Sequence, residues 1–220
     1  MTLELKKRIV TSAFLLVLLC LMYFYTFVLI ISVIIFSIIS WIEFNGLIFK
    51  IFKKNKNKDK LLRFCYKTIS LMYFSLLIYL VLLIKSQKPD FEIFIIFSIL
   101  ISIMSDVGGL VVGKTFKGKK LTKISPNKTV SGSIGSFIFS LSLIPIFLEY
   151  LTNYDLLTLS IITLIISLTS QLGDLLISFL KRKAKVKNTS DLLPGHGGIL
   201  DRIDGIIFAL PIGFLILVSF

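Results

Sequence analysis

The sequence predicts an all-α, polytopic integral membrane protein with about seven transmembrane helices and a cytoplasmic N-terminus. Three observations carry that expectation. The composition is 55% hydrophobic and only 17% charged, with a mean hydropathy of +0.93. Soluble domains average roughly 45–50% apolar and about 25% charged residues. The apolar residues also gather in runs of the length a helix needs to cross a hydrocarbon core, about 20 residues for about 30 Å. The basic residues then sort to one side of those runs.

The runs are Ile9–Phe24, Thr26–Ile42, Phe64–Ile84, Phe91–Val112, Ser133–Leu151, Leu156–Leu180 and Ile203–Val218. Helices are expected because they satisfy their own backbone groups, which lipid cannot do. Met1–Arg8 and the following run have the look of a signal peptide. No small-residue cleavage site follows, and a second run comes at once, so a retained first span is expected. All 25 Lys and Arg except Lys85 and Lys88 fall on one side of the alternating spans. The positive-inside rule makes that side cytoplasmic. Asp90, Glu92, Glu149 and Asp155 lie on the other.

The net charge of +13 is thus a property of one face. The Lys/Asn-rich segment Lys50–Lys67 reads as a solvated linker, a topology signal and an attraction for anionic membrane lipids, about 1 kcal/mol per charge. It lacks the groove or module of a nucleic-acid binder, so no nucleic-acid partner is expected. Cys20 and Cys65 have neither CxxC spacing nor a nearby His and read as small buried hydrophobes. One membrane domain is expected over 1–220, with N-terminal helices to about 90 and catalytic helices and loops beyond.

Polar chemistry concentrates in two cytoplasmic segments. Residues 171–205 read QLGDLLISFLKRKAKVKNTSDLLPGHGGILDRIDG. Asp174, Ser178 and Lys181 or Arg182 share a helix face by their spacing. An acid about two turns inside the membrane end needs a partner, water or a metal. Gly195, Gly197 and Gly198 around His196 suit a tight turn that either approaches a phosphate closely or is only a connection. Asp201 and Asp204, at i and i+3, serve either as N-terminal caps of the last helix or as metal ligands. With Asp174 across the loop they supply the carboxylates that Mg²⁺ prefers, whereas a lone His suits a hydrogen-bonding role. The second segment, 105–135, reads SDVGGLVVGKTFKGKKLTKISPNKTVSGSIG. It has no Walker A pattern. Its lysines, among them Lys128, stand among Gly, Ser and Thr behind Asp106, which suits either a triphosphate or a lipid phosphate, or a plain solvated loop.

The stretch from Ser178 to Asp204, with Lys181-Arg182, Pro194-Gly195-His196-Gly197-Gly198 and Asp201-Arg202-Ile203-Asp204, closely resembles the signature of phosphatidate cytidylyltransferases, also called CDP-diacylglycerol synthases. Asp106, Gly113, Ser125-Pro126, Lys128-Thr129 and Gly132 add to the resemblance, which covers the chain from about Asp106 onward. Asn188 stands where the family usually has Asp, Gly109-Leu110 where Ala-Tyr is usual, and Ser131 where a longer polar side chain is common.

The resemblance implies a transferase that makes CDP-diacylglycerol and pyrophosphate from CTP and phosphatidic acid. It implies Mg²⁺ as cofactor on Asp174 and Asp201, with room for a second cation. Lys181, Arg182, Asp201, Arg202 and Asp204 would be catalytic, Asp204 either as a metal ligand or as an orienter of Arg202. Asp106, Lys128, Ser178, Gly195, His196, Gly197 and Gly198 would bind substrate phosphates. A homodimer in a bacterial inner membrane, with its site facing the cytoplasm, is also implied. Two other readings compete. A CTP-dependent lipid-alcohol kinase would release CDP instead of pyrophosphate. A transporter would place polar groups near the midplane, often on paired broken helices; here they lie at the cytoplasmic ends.

Overall fold

The computed structural model describes residues 3–53, 56–87, 92–122, 125 and 128–219. Lys54, Lys88, Asp90, Phe91, Lys123, Pro126 and Asn127, all used in the sequence reading, lie outside them. The described residues form α1 (Leu3–Phe24), α2 (Thr26–Ile51), α3 (Asn57–Gln87), α4 (Glu92–Phe116), α5 (Val130–Leu141), α6 (Ile144–Phe147), α7 (Leu156–Lys183), α8 (Leu200–Ile203) and α9 (Ile206–Ser219). Beyond helices they hold turns and two isolated antiparallel bridges, Lys120 with Thr129 and Leu193 with Gly197. Among the described residues, five stretches are long and apolar enough to cross a membrane: α2, Asn57–Lys85, α4, Val130–Phe147 and α7.

Several boundaries differ from the sequence expectation, each for a local reason. α2 continues nine residues beyond Ile42, past Glu43, because its buried face resumes at Leu47 and Ile48. Much of the expected linker Lys50–Lys67 is helical, since α3 starts at Asn57. Asp59 in its first turn complements the helix dipole. The fifth run breaks into α5 and α6, where Pro145 occupies the first turn of α6. The last run also breaks: Asp201 lies in the single turn of α8, and Asp204 in the turn before α9. The two acids therefore do not share one continuous helix face. Cys20 and Cys65 are free and exposed, not buried. Both sit on the outer faces of their helices.

By contact the chain divides into two compact units, Met1–Leu82 with Leu180–Ile203, and Leu83–Phe179 with Asp204–Phe220. The second unit is built on α4. Phe94, Phe97 and Ile101 of that helix bury against Ile144, Phe147, Leu159 and Ile166, and the Phe97 and Phe147 rings lie 4.9 Å apart. Lipid gives helices no hydrophobic reason to associate, so close backbone approach and side-chain hydrogen bonds must hold them. α4 and α5 supply the close approach. A Cβ on Gly108 would collide with the Gly135 carbonyl and Phe139, and one on Gly132 would lie 2.8 Å from the Gly109 carbonyl. Serines supply the bonds: Ser102 pairs with Ser170 at 2.7 Å and Ser167 donates to Ser105 at 3.0 Å.

In the first unit the start of α3 meets the C-terminal half of α2. The Trp41 indole donates to the Lys67 carbonyl at 3.3 Å. The Lys67 ammonium stands 5.6 Å from the Trp41 ring centre, and the Arg63 guanidinium 5.1 Å from that of Phe49. Both are cation–π contacts.

Candidate active site

In the first unit the signature begins at the C-terminus of α7. That helix ends in a Schellman motif: Val186 N–H donates to Lys181 C=O and Lys185 N–H to Arg182 C=O, both at 3.0 Å. Lys185 fills the left-handed position, φ 58°, that glycine usually takes. The motif fixes the last turn, which carries Lys181 and Arg182. Arg182 is exposed, whereas the Lys181 ammonium bonds Asp201 Oδ1 at 2.7 Å.

The segment from Thr189 to Leu200 folds back on itself. Leu193 C=O accepts from the His196 N–H at 2.9 Å and the Gly197 N–H at 3.0 Å. Gly195 and Gly197 have φ of 78° and 88°, conformations that L side chains rarely adopt. Gly198 has ordinary φ and is required for another reason. A Cβ there would collide with Thr189 Oγ1 and Glu43 Oε2. The sequence offered these glycines as a nest of bare N–H groups. Here the His196, Gly197 and Gly198 amides all bond acceptors of the chain itself.

Asp201 is the acceptor that closes the loop. Its Oδ2 takes the N–H of Thr189 at 2.8 Å and the Gly198 N–H at 3.0 Å, and the Thr189 hydroxyl oxygen lies 3.0 Å away. Burial pushes the Asp201 carboxyl up, but Lys181 and the amides of Gly198 and Thr189 outweigh it and hold the group below the usual carboxylate range. Arg202 is exposed, and its Nε donates to the His196 carbonyl at 3.1 Å. Its guanidinium thereby braces the turn while facing outward.

A residue the sequence reading passed over anchors this loop. Glu43 of α2 is 6% exposed. Its Oε1 accepts from Ser190 Oγ at 2.6 Å and Ile199 N–H at 3.1 Å. Its Oε2 accepts from Thr189 Oγ1 at 2.7 Å and Leu200 N–H at 2.9 Å. The available signal was a single acid set between Ile42 and Phe44 in apolar sequence, since such an acid needs partners.

In the second unit Lys128 forms an ion pair with Asp174, so the acid's partner is not a base on its own helix. Ser178 Oγ donates to Asp174 Oδ1 at 3.3 Å. Lys128 is held by its neighbours. Leu121 N–H donates to the Lys128 carbonyl at 2.8 Å, and Val130 N–H to the Lys119 carbonyl at 3.0 Å. The next residue, Thr129, caps α5 by accepting from Gly132 N–H at 3.1 Å. Asp106 is exposed on α4 and lies within electrostatic reach of both Asp174 and Lys128. Ser131, a departure from the signature, donates its hydroxyl to the Lys117 carbonyl and so braces the same loop. Asp204 is buried and its Oδ1 accepts from Gly205 N–H at 3.0 Å. No group of three or more His, Cys, Asp or Glu suited to a metal occurs among the described residues.

Each unit thus pairs a carboxylate with a lysine, Asp201 with Lys181 and Asp174 with Lys128, an arrangement suited to phosphate-bearing molecules. The family model for the cytidylyltransferase family matches residues 2–220. Phosphatidate cytidylyltransferase of Staphylococcus haemolyticus (strain JCSC1435) is 36% identical over 162 residues, 72% of this chain and 58% of that protein. The protein of the same name from Bacillus subtilis (strain 168) is 36% identical over 155 residues, 70% of this chain and 58% of the relative. That from Rickettsia bellii (strain RML369-C) is 44% identical over 121 residues, 50% and 52% of the two chains. The matches therefore span little more than half the length of these curated relatives.

Proposed function

The chain belongs to the cytidylyltransferase family, and from that premise we propose that it transfers the cytidylyl group of CTP to phosphatidate, giving CDP-diacylglycerol and pyrophosphate for phospholipid synthesis. One observation supports this above all. Asp174, Ser178, Lys181, Arg182, His196, Asp201, Arg202 and Asp204 are all present inside a family match that runs from residue 2 to 220.

In this reaction a phosphate oxygen of phosphatidate attacks the α-phosphorus of CTP. The bond from that phosphorus to the oxygen bridging to the β-phosphate breaks, and pyrophosphate leaves. The nucleophile is already anionic, so no activated Ser or Cys is required. The barrier lies in bringing two crowded anions together in line. Lys181, Arg182, Arg202 and Lys128 are proposed to offset that charge. Lys181 and Lys128 each rest on a carboxylate, which orders the ammonium groups before substrate arrives. Ser178, His196, Asp106 and the backbone at Gly195, Gly197 and Gly198 are proposed to line the substrates, and Asp204 to support Arg202 or the cation.

Mg²⁺ is the proposed cofactor, with Asp174 and Asp201 each a proposed ligand by family resemblance, with or without a second cation. The donors fit a hard ion. Asp174 meets one lysine and one serine, and Asp201 Oδ1 meets one lysine, so each keeps oxygen lone pairs for a cation that otherwise takes water and phosphate oxygens. When bound, the ion supplies Lewis-acid neutralisation of the phosphates.

The finer topology belongs to the same proposal. α1 and α9 join the five long helices to make seven spans of one membrane domain, with the N-terminus and the site on the cytoplasmic face of a bacterial inner membrane. The basic residues support that orientation. A homodimer completes the proposal.

The test is the fate of CTP labelled in its cytidine, given to the purified full chain with phosphatidate and Mg²⁺. Lipid-soluble label and pyrophosphate in equal amounts are expected. Label left in water-soluble CDP beside a newly phosphorylated lipid alcohol would contradict the reading.

A further inference from the structure

Glu43 lies outside the signature and outside every motif that suggested the function. It is a buried carboxylate on α2, a helix that is otherwise almost wholly apolar. Such a group is retained only where its partners repay the loss of water. Its hydrogen-bond partners among the described residues belong to the signature loop, at two places: Thr189 and Ser190 where the loop begins, and Ile199 and Leu200 where it ends. The carboxylate therefore clasps both stems of the Gly195–Gly198 turn and fixes them to one helix.

The clasp leads directly to the charged pair. Thr189 donates its hydroxyl to Glu43 Oε2 at 2.7 Å and also lies 3.0 Å from Asp201 Oδ2. Leu200, whose N–H bonds Glu43 at 2.9 Å, immediately precedes Asp201. Gly198 has no room for a Cβ because Glu43 and Thr189 fill that space. From this we propose that Glu43 is a positioning residue for cytidylyl transfer: by clasping Thr189, Ser190, Ile199 and Leu200 it sets Asp201, and through it Lys181, for the CTP phosphates. The kinetic part rests on the function proposed above; the clasp itself does not.

Four donors on two oxygens make the carboxylate specific. Each oxygen receives one backbone N–H and one hydroxyl. In Glu43→Gln, either orientation of the amide turns an NH₂ group toward the N–H of Ile199 or of Leu200, and neither can reverse its polarity.

Two readouts on the full chain, reconstituted in phospholipid nanodiscs, test this. Amide exchange at Ile199 and Leu200 is expected to speed up by about tenfold or more in Glu43→Gln, with the amides of Phe36–Leu47 unchanged. The KM for CTP is expected to rise by about tenfold. A variant that merely unfolds in part loses active molecules and keeps its KM. Equal acceleration along α2 and the loop, or an unchanged KM for CTP, overturns the positioning role. Ser190→Ala, which removes a single hydroxyl, provides a milder variant. A shift of about twofold or more in the same direction at Ile199 is expected, and none there overturns the clasp. If the unaltered chain yields no CDP-diacylglycerol, the proposed reaction fails, and the exchange result still decides the clasp.

Discussion

Asp174 and Asp201 carry the same functional group and sit in opposite kinds of surroundings. Asp174 stands on a long helix, meeting one lysine and one serine. Asp201 stands in a one-turn helix, and three bonds from Lys181, Thr189 and Gly198 converge on it. The helix would hold its shape without Asp174. The loop around Asp201 has no regular structure to fall back on, so the carboxylate organises the backbone as well as presenting charge. A carboxylate on a rigid element is free to serve a ligand alone, whereas one in a glycine turn serves the fold too.

The sharpest way to break this comparison is to remove each acid. Under the proposed function, Asp174→Ala and Asp201→Ala are both expected to lower cytidylyl transfer by roughly 1,000-fold, each removing a proposed Mg²⁺ ligand and the carboxylate that orders a lysine. Transfer within tenfold of normal in either variant would remove that acid from the machinery. Glycines sharpen the contrast next. Gly198→Ala is expected to reduce transfer by about 100-fold through displacement of the loop, because its Cβ would strike Thr189 and Glu43. Gly46→Ala, where nothing lies within 4 Å, is expected to leave transfer unchanged and to raise the melting temperature slightly.

Lys128→Ala comes third. It leaves Asp174 without its cation and is expected to weaken use of CTP or phosphatidate by about tenfold, read as a raised KM. The smallest effect is that of pH. Because Asp201 is held below the usual carboxylate range, its contribution is complete above the unfolded value of about 3.9 and is lost as pH falls through the lower folded value. The melting-temperature gap between the unaltered chain and Asp201→Ala should stay constant from pH 8 to about pH 5 and close only below about pH 4. A gap that closes near neutrality would contradict the assignment.

The helices were legible because a long apolar run leaves few alternatives in lipid. The charged pairs were legible in kind but not in partner. Asp174 shares a helix face with Lys181 and Arg182 by spacing, yet its lysine comes from the loop before α5. Spacing along one helix says nothing about such a partner. Glu43 stood out as a lone acid, but its partners were hidden for a related reason. Its partners lie 146 to 157 residues away in sequence, and one acid at the end of a span makes no pattern. The glycines were read as a cradle for phosphate. Gly195 and Gly197 do provide the positive φ of a tight turn, while Gly108, Gly132 and Gly135 let α4 and α5 touch. A string of glycines in sequence does not distinguish a ligand's approach from a neighbouring helix's.

The division of labour between the two acids is tested most directly by site-resolved amide exchange on Asp174→Ala and Asp201→Ala in nanodiscs, each assayed for transfer in the same preparation. Loss of transfer in both, with the Thr189 and Gly198 amides deprotected in Asp201→Ala alone, is the predicted result. Equal protection of those amides in the two variants would contradict it.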